Sequence, residues 1–168
     1  FFNPIIIVGG EPQSIFLEIF LKSISKLKNK KIPIVLITSK NLLKINIKKF
    51  KKNIKLNELN NNLTNIETDK INLININYNG FSFSKKITSR SNVFLTKSFE
   101  KALSIIKKKN CAGLINGPIS KKTFLYGKFN GITEYLANKT RTTDPVMLIY
   151  NKDLSVSPLT THIPISKV

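Results

Sequence analysis

The chain has 168 residues, 41% of them hydrophobic, and a formal net charge of +19 from 28 basic and 9 acidic side chains. That length and apolar content suit one globular domain with a sizeable core and exclude a disordered chain, and no apolar run approaches the ~20 residues that would cross a bilayer. The charge would signal nucleic acid or an anionic membrane if it were gathered on one face, but the lysines are scattered over every helical stretch and arginine occurs only at Arg90 and Arg141.

Lysine, asparagine and isoleucine are all heavily used, as an AT-rich coding bias dictates. The charge is therefore expected to be compositional, with a smaller part in steering anionic substrates, and nucleic acid is not the expected partner. A single cysteine, Cys111, rules out an internal disulfide and fits a reducing, cytoplasmic compartment. It abuts an apolar strand and reads as a buried structural residue, a poor nucleophile. The first residues show no basic leader and no small-residue cleavage site. The chain lacks an initiator methionine and stops at Val168, where a new element is beginning, so a piece of a longer protein is expected.

Pro4 to Val8 is a β-branched apolar run that predicts a buried parallel strand. Gly9-Gly10-Glu11-Pro12 ends it, and Ile15, Phe16, Ile19, Phe20, Ile24 and Leu27 then recur at helical spacing. Strand, glycine turn and helix is a layout used for phosphate sites, but Gly9-Gly10 fits neither G-x-G-x-x-G nor a P-loop. A tight connection is the plainer reading. Glu11 and Glu18 read as ordinary N-terminal helix charges.

Ile32 to Ile37 predicts a second buried strand, and Ser39 can cap the turn where Leu42 and Leu43 pack. Residues 44–70 suggest a short third strand near Ile54 and Leu56, then a poorly specified connection. Asn72 to Ile76 alternates and predicts another strand. Residues 81–92 read as a polar loop, and Asn92 to Lys109 as an amphipathic helix. Cys111 to Ile115 is expected to be a central strand. It feeds Asn116-Gly117-Pro118-Ile119-Ser120-Lys121, a fixed turn at a strand's carboxyl end, where open α/β sheets bind ligands. Ser120 and Lys121 there offer a hydroxyl and a cation at a helix start; an anion site and a capped helix with a solvated lysine are equally compatible with the spacing.

Ile132 to Ala137 opens a further helix, with Thr133 and Glu134 in its first turn. Val146 to Tyr150 and Leu154 to Leu159 predict a hairpin. The hairpin ends at Thr160-Thr161-His162, which holds the only histidine, and a helix is expected from Pro164. Strands alternating with helices, then a hairpin, give an α/β layered fold without internal repeats.

Gly10-Glu11-Pro12 with Glu18 resembles G-D-P-x-G-I-G-P-E, and Asn116 to Lys121 resembles T-G-P-x-x-K. Gly131-Ile132-Thr133-Glu134 resembles G-H-T-E, and Thr160 to Pro164 resembles T-T-H-L-P. In order and spacing these match roughly the first half of the 4-hydroxythreonine-4-phosphate dehydrogenase family of vitamin B6 biosynthesis. The resemblance implies a layered α/β/α fold like that of isocitrate and isopropylmalate dehydrogenases. It implies a homodimer, NAD or NADP, and a divalent metal such as zinc, magnesium or cobalt. The implied substrate is a phosphorylated amino acid, 4-phosphooxy-L-threonine. Its secondary alcohol is oxidised to a β-keto acid that decarboxylates to 3-amino-2-oxopropyl phosphate. By the same resemblance His162 is a metal ligand, the remaining histidines being expected beyond this sequence. Thr133 contacts substrate. Lys121 is expected to face the phosphate or carboxylate, as the catalytic candidate. Ile132 occupies the substrate-binding position where the family has histidine; it can neither donate a hydrogen bond nor titrate. Ser14, Phe16 and Leu17 also depart from the family's glycine, glycine and proline.

Overall fold

The computed structural model describes residues 3–27, 32–60, 63–78, 89–108, 111–159 and 166. It divides into two compact units, Phe1–Ser120 and Lys121–Val168.

The first unit is a parallel five-stranded sheet with helices packed on it. In chain order its elements are β1 (Ile5–Val8), α1 (Phe16–Ile24), β2 (Ile34–Thr38), α2 (Lys40–Lys49), β3 (Leu56–Glu58), β4 (Ile71–Asn75), α3 (Ser89–Lys107) and β5 (Gly113–Asn116). The strand order is β3-β4-β2-β1-β5. The β-branched runs form β1 and β2 because both are covered on both faces: Ile6, Val8, Val35, Leu36 and Ile37 have no exposed surface. Ile6 sits opposite Val35 on one side and Leu114 on the other. From β1 to β2 the sheet grows one way, and from β4 through α3 to β5 it grows the other way. Right-handed crossovers therefore put α1 and α2 on one face and α3 on the opposite face.

The helix predicted here forms, but α1 turns Leu17, Phe20 and Leu21 inward; of the residues whose spacing predicted it only Phe20 is buried, and Ile15 and Ile19 are exposed. Helix α3 buries Phe94, Leu95, Phe99, Ala102 and Ile105 and packs across β1 and β2. Ser39 caps α2, accepting a hydrogen bond from the Leu42 amide. Its cap starts a ten-residue helix where only a turn was expected, because Leu42 and Leu43 both find cover.

The connection before β4 is also better specified than expected. Asn72, 1% exposed within β4, donates to the Ile34 and Glu67 carbonyls at 3.1 and 2.8 Å. Its side-chain oxygen accepts from the Glu67 amide at 2.8 Å and from Asn57 Nδ2 at 2.9 Å. One buried amide thus ties β2, β3 and the 65–70 segment together, and all its hydrogen-bonding capacity is used.

Strand β5 is a correction. Read as central, it is the outermost strand of the described sheet, and Ile115 is 49% exposed. An apolar run reports what a strand can bury, not where it is placed. Cys111 just before it is half-buried, so the fully buried cysteine expected is not found.

In the second unit, α4 (Lys121–Phe124) is one turn long and α5 (Ile132–Thr140) follows. Tyr135 meets Phe124 in a tilted contact and Phe129 edge-on, with ring centroids 5.2 and 5.6 Å apart, fixing α4 to α5. Strands β6 (Ile149–Tyr150) and β7 (Ser155–Val156) form the predicted antiparallel hairpin, shorter than expected. Val146, Leu148, Tyr150, Leu154 and Leu159 around it are all exposed.

Candidate functional site at the carboxyl ends of β1 and β5

Sheet growth reverses at β1, so the carboxyl ends of β1 and β5 are where an open α/β sheet places its ligand crevice. Two turns leave from that spot, Gly9–Ser14 and Gly117–Ser120, and they lock together. The Gly117 amide donates to the Val8 carbonyl at 2.7 Å, and the Glu11 amide donates to the Pro118 carbonyl at 2.8 Å. Gly10 has φ +69°, and a Cβ there would lie 2.5 Å from the Pro118 oxygen. A Cβ on Gly117 would lie 2.7 Å from the Gly9 oxygen. The glycines are needed because backbone packs directly on backbone. The space that a phosphate cradle would leave open is filled by the chain itself. The Gly9-Gly10 turn is therefore a connection, the plainer of its two readings, and it does not fit a dinucleotide pyrophosphate.

Glu11 lies at the centre of this junction. It is 6% exposed, and its Oε1 accepts a hydrogen bond from the Ser120 amide at 3.3 Å. Its Oε2 is buried without a hydrogen-bond partner among the described residues. Burial pushes the carboxyl above its ordinary range, partly offset by the Ser120 hydrogen bond. Glu11 is not the helix charge expected, since α1 begins only at Phe16. Glu18 is one; it sits in the first turn of α1 and pairs with Lys22 at 2.7 Å. Gln13, in the same turn, donates to the Tyr78 hydroxyl at 3.2 Å. The clue available in the sequence was an acid wedged between Gly10 and Pro12, ahead of the helical spacing.

The anion-site reading of Ser120-Lys121 named the Ser120 hydroxyl and the Lys121 cation; the backbone at the same place is engaged within the chain. The Ser120 amide is already taken by a carboxylate of the chain's own, and α4 is a single turn with little dipole to offer. What Lys121 presents is an exposed ammonium at the first residue of α4.

Ile132 and Thr133 are half-buried in the first turn of α5, where the Tyr135 amide donates to the Gly131 carbonyl at 3.2 Å. Glu134 Oε2 folds back over Gly131, within 3.0 Å of where a Cβ would stand. Lys121, Ile132 and Thr133 thus share the second unit, on the two helices that the Tyr135 rings join. Glu11 and Ser120 belong to the first unit. His162 lies outside the described residues, as does the helix expected from Pro164. Burial raises the Cys111 thiol, in keeping with a poor nucleophile.

No group of three His, Cys, Asp or Glu side chains that could hold a metal ion occurs among the described residues. With one histidine in the chain, those residues alone do not fit a metal centre. No helix among the described residues is long and apolar enough to cross a membrane.

A family model, that of the pyridoxal phosphate biosynthetic protein PdxA, matches residues 29–168. The chain belongs to the PdxA family. The Gly10–Glu18 segment, where Ser14, Phe16 and Leu17 depart from the family pattern, lies ahead of the residues matched.

Among curated relatives of this PdxA-family chain is the 4-hydroxythreonine-4-phosphate dehydrogenase of Sulfurihydrogenibium sp. strain YO3AOP1. It is 31% identical over 163 residues, which cover 95% of this chain and 49% of that one. The Colwellia psychrerythraea enzyme of the same name is 38% identical over 74 residues, 39% of this chain and 22% of that one. The solved 4-hydroxythreonine-4-phosphate dehydrogenase of Burkholderia phymatum superposes with a TM-score of 0.85 at 18% identity, over 99% of this chain and 52% of that one. The Klebsiella pneumoniae structure gives a TM-score of 0.80 at 21% identity, over 98% and 52%. At such identities the likeness is one of fold. The chain spans about half the length of the Sulfurihydrogenibium relative.

Proposed function

We propose that residues 1–168 are the N-terminal portion of a longer α/β dehydrogenase that oxidises 4-phosphooxy-L-threonine in the route to pyridoxal phosphate. The observation that carries this is the family match over residues 29–168, which takes in the Asn116–Lys121, Gly131–Glu134 and Thr160–Pro164 segments together. In this reading a bound nicotinamide cofactor, NAD or NADP, would supply the hydride acceptor for oxidation of the secondary alcohol. The β-keto acid so formed loses carbon dioxide to give 3-amino-2-oxopropyl phosphate. A divalent metal, zinc, magnesium or cobalt, belongs to the same reading, and His162 is the one imidazole this chain has to contribute.

This chain's own residues have separate tasks. The Thr133 hydroxyl hydrogen-bonds substrate, held by the first turn of α5. The exposed Lys121 ammonium faces the substrate's phosphate or carboxylate, a point charge on a flexible stem. The enzyme works in the cytoplasm as a homodimer. The exposed apolar hairpin supports the dimer: residues 142–159 carry one cation, Lys152, against Asp144 and Asp153, in a chain of net charge +19. Two strongly basic copies can meet there without facing one another's lysines.

Ile132 favours a second reading, a relative that keeps the fold but acts on another phosphorylated hydroxy acid or on none. Where the family has a side chain that hydrogen-bonds and titrates, isoleucine offers only a hydrocarbon surface.

The deciding assay uses the full-length protein with added divalent metal, NAD or NADP, and 4-phosphooxy-L-threonine, following reduced nicotinamide and released carbon dioxide. Equal yields of both are expected. Turnover only after Ile132→His would favour the diverged relative. Absence of turnover in both forms would sink the dehydrogenase reading.

A further inference from the structure

We propose that Glu11 is a positioning residue, its side chain setting the conformation of the Gly117–Ser120 turn that leads into Lys121. Three hydrogen bonds between described residues anchor the turn to the β1 end. Two are backbone pairs, from the Gly117 amide to the Val8 carbonyl and from the Glu11 amide to the Pro118 carbonyl. They fix the front of the turn, which the interlocked glycines prevent from moving closer to β1. A third anchor, Ser120 amide to Glu11 Oε1 at 3.3 Å, reaches the turn's last residue, and a side chain supplies it.

That anchor has a cost. A carboxyl only 6% exposed, with a second oxygen that finds no partner among the described residues, is poorly solvated in either protonation state. An aliphatic side chain of similar size would fill the space more cheaply, but it could not accept the Ser120 hydrogen bond. The acceptor function is what the acid adds. The same contact closes the Ser120 amide to outside anions, since a phosphate oxygen would have to displace Glu11 and face its charge. Ligand recognition at the end of this turn then falls to side chains, and Glu11 sets the backbone from which the Lys121 side chain starts. This last consequence, and only this, rests on the dehydrogenase reading.

The test uses full-length protein carrying Glu11→Ala, Glu11→Gln or Glu11→Asp. Amide hydrogen exchange over 117–120 is expected to rise about fivefold in Glu11→Ala, the equivalent of one hydrogen bond of ~1 kcal/mol. It should stay at the wild-type rate in Glu11→Gln, whose carboxamide oxygen still accepts. KM for 4-phosphooxy-L-threonine should rise by a similar factor in Glu11→Ala, with kcat changed less than about twofold, and return in Glu11→Gln. If circular dichroism shows Glu11→Ala unfolded, Glu11→Asp, which keeps the acid but falls short of Ser120, carries both measurements. Wild-type exchange in the variant that lacks the acceptor, or equal damage from Gln and Ala, would overturn the proposal. A wild-type enzyme that leaves 4-phosphooxy-L-threonine untouched would refute the dehydrogenase reading instead, and the exchange measurement would still decide the role of Glu11.

Discussion

Replacing Asn72 by leucine tests whether one buried amide organises the far side of the sheet. Leucine has the same number and branching of side-chain heavy atoms, so no cavity opens, although its methyl groups are bulkier than the amide they replace. It deletes four hydrogen bonds, to the Ile34 carbonyl, to the Glu67 carbonyl and amide, and to Asn57. Asn57 keeps its second partner, the Asn65 carbonyl at 2.6 Å, and Glu67 is only half-buried, so water can replace part of what is lost there. Ile34 and Asn57 are half-buried as well. At about 1 kcal/mol for each bond, with partial rescue by solvent, the loss comes to about 2–4 kcal/mol. Urea denaturation of wild type and Asn72→Leu should show the midpoint falling with little change in slope. Amide exchange should rise first across residues 65–70, the segment that Asn72 holds. A midpoint within about 0.5 kcal/mol of wild type would show that the network is incidental, and the account of this connection would be wrong.

Gly10→Ala should destabilise the fold by about 3 kcal/mol in thermal unfolding. Part of this is an L-residue at φ +69°, and part is a Cβ placed 2.5 Å from the Pro118 oxygen. Gly117→Ala strikes the same contact from the other side, so the double variant should lose less than the sum of the two, and strict additivity would show that the turns do not interlock. Glu11 makes stability depend on pH in a defined direction. Its folded pKa lies above the ordinary glutamate value of 4.5, so the folded state binds the proton more tightly than the unfolded chain. Its contribution is fully present below 4.5 and is lost as pH rises through the raised value. Across that window Glu11→Gln should therefore gain in Tm relative to wild type as pH increases; the opposite trend would mean the carboxylate is well solvated or paired in the native protein.

Much of the scaffold could be read directly from residue patterns. The isoleucine-rich runs at Ile5–Val8 and Ile34–Thr38 became the inner strands, and the spacing of Phe94, Phe99, Ala102 and Leu103 became a buried helix face. Strand and helix periods survive in sequence because burial selects one face at a time. Position within the sheet does not survive: the apolar run before Asn116 gave no sign that β5 stands at the edge of the described sheet. Nor was the Lys- and Asn-rich stretch before β4 legible, because the residue that orders it, Asn72, reaches Ile34 far back in the chain.

For the candidate site the division is similar. The motif segments could be located by type and order, since glycine, proline, hydroxyl and lysine at a strand's carboxyl end have a recognisable chemistry. Sequence alone established the α/β class; it also supplied the segments proposed to carry chemistry and Ile132 as a departure from the motif that the family resemblance implies. Tertiary structure decided that Gly10 and Gly117 face each other, and that Glu11 takes the Ser120 amide. Those two residues are separated by 109 positions and meet because parallel pairing sets the ends of β1 and β5 side by side. A hydrogen bond across such a distance depends on strand register, and register is fixed by packing the whole sheet rather than by any local run of residues.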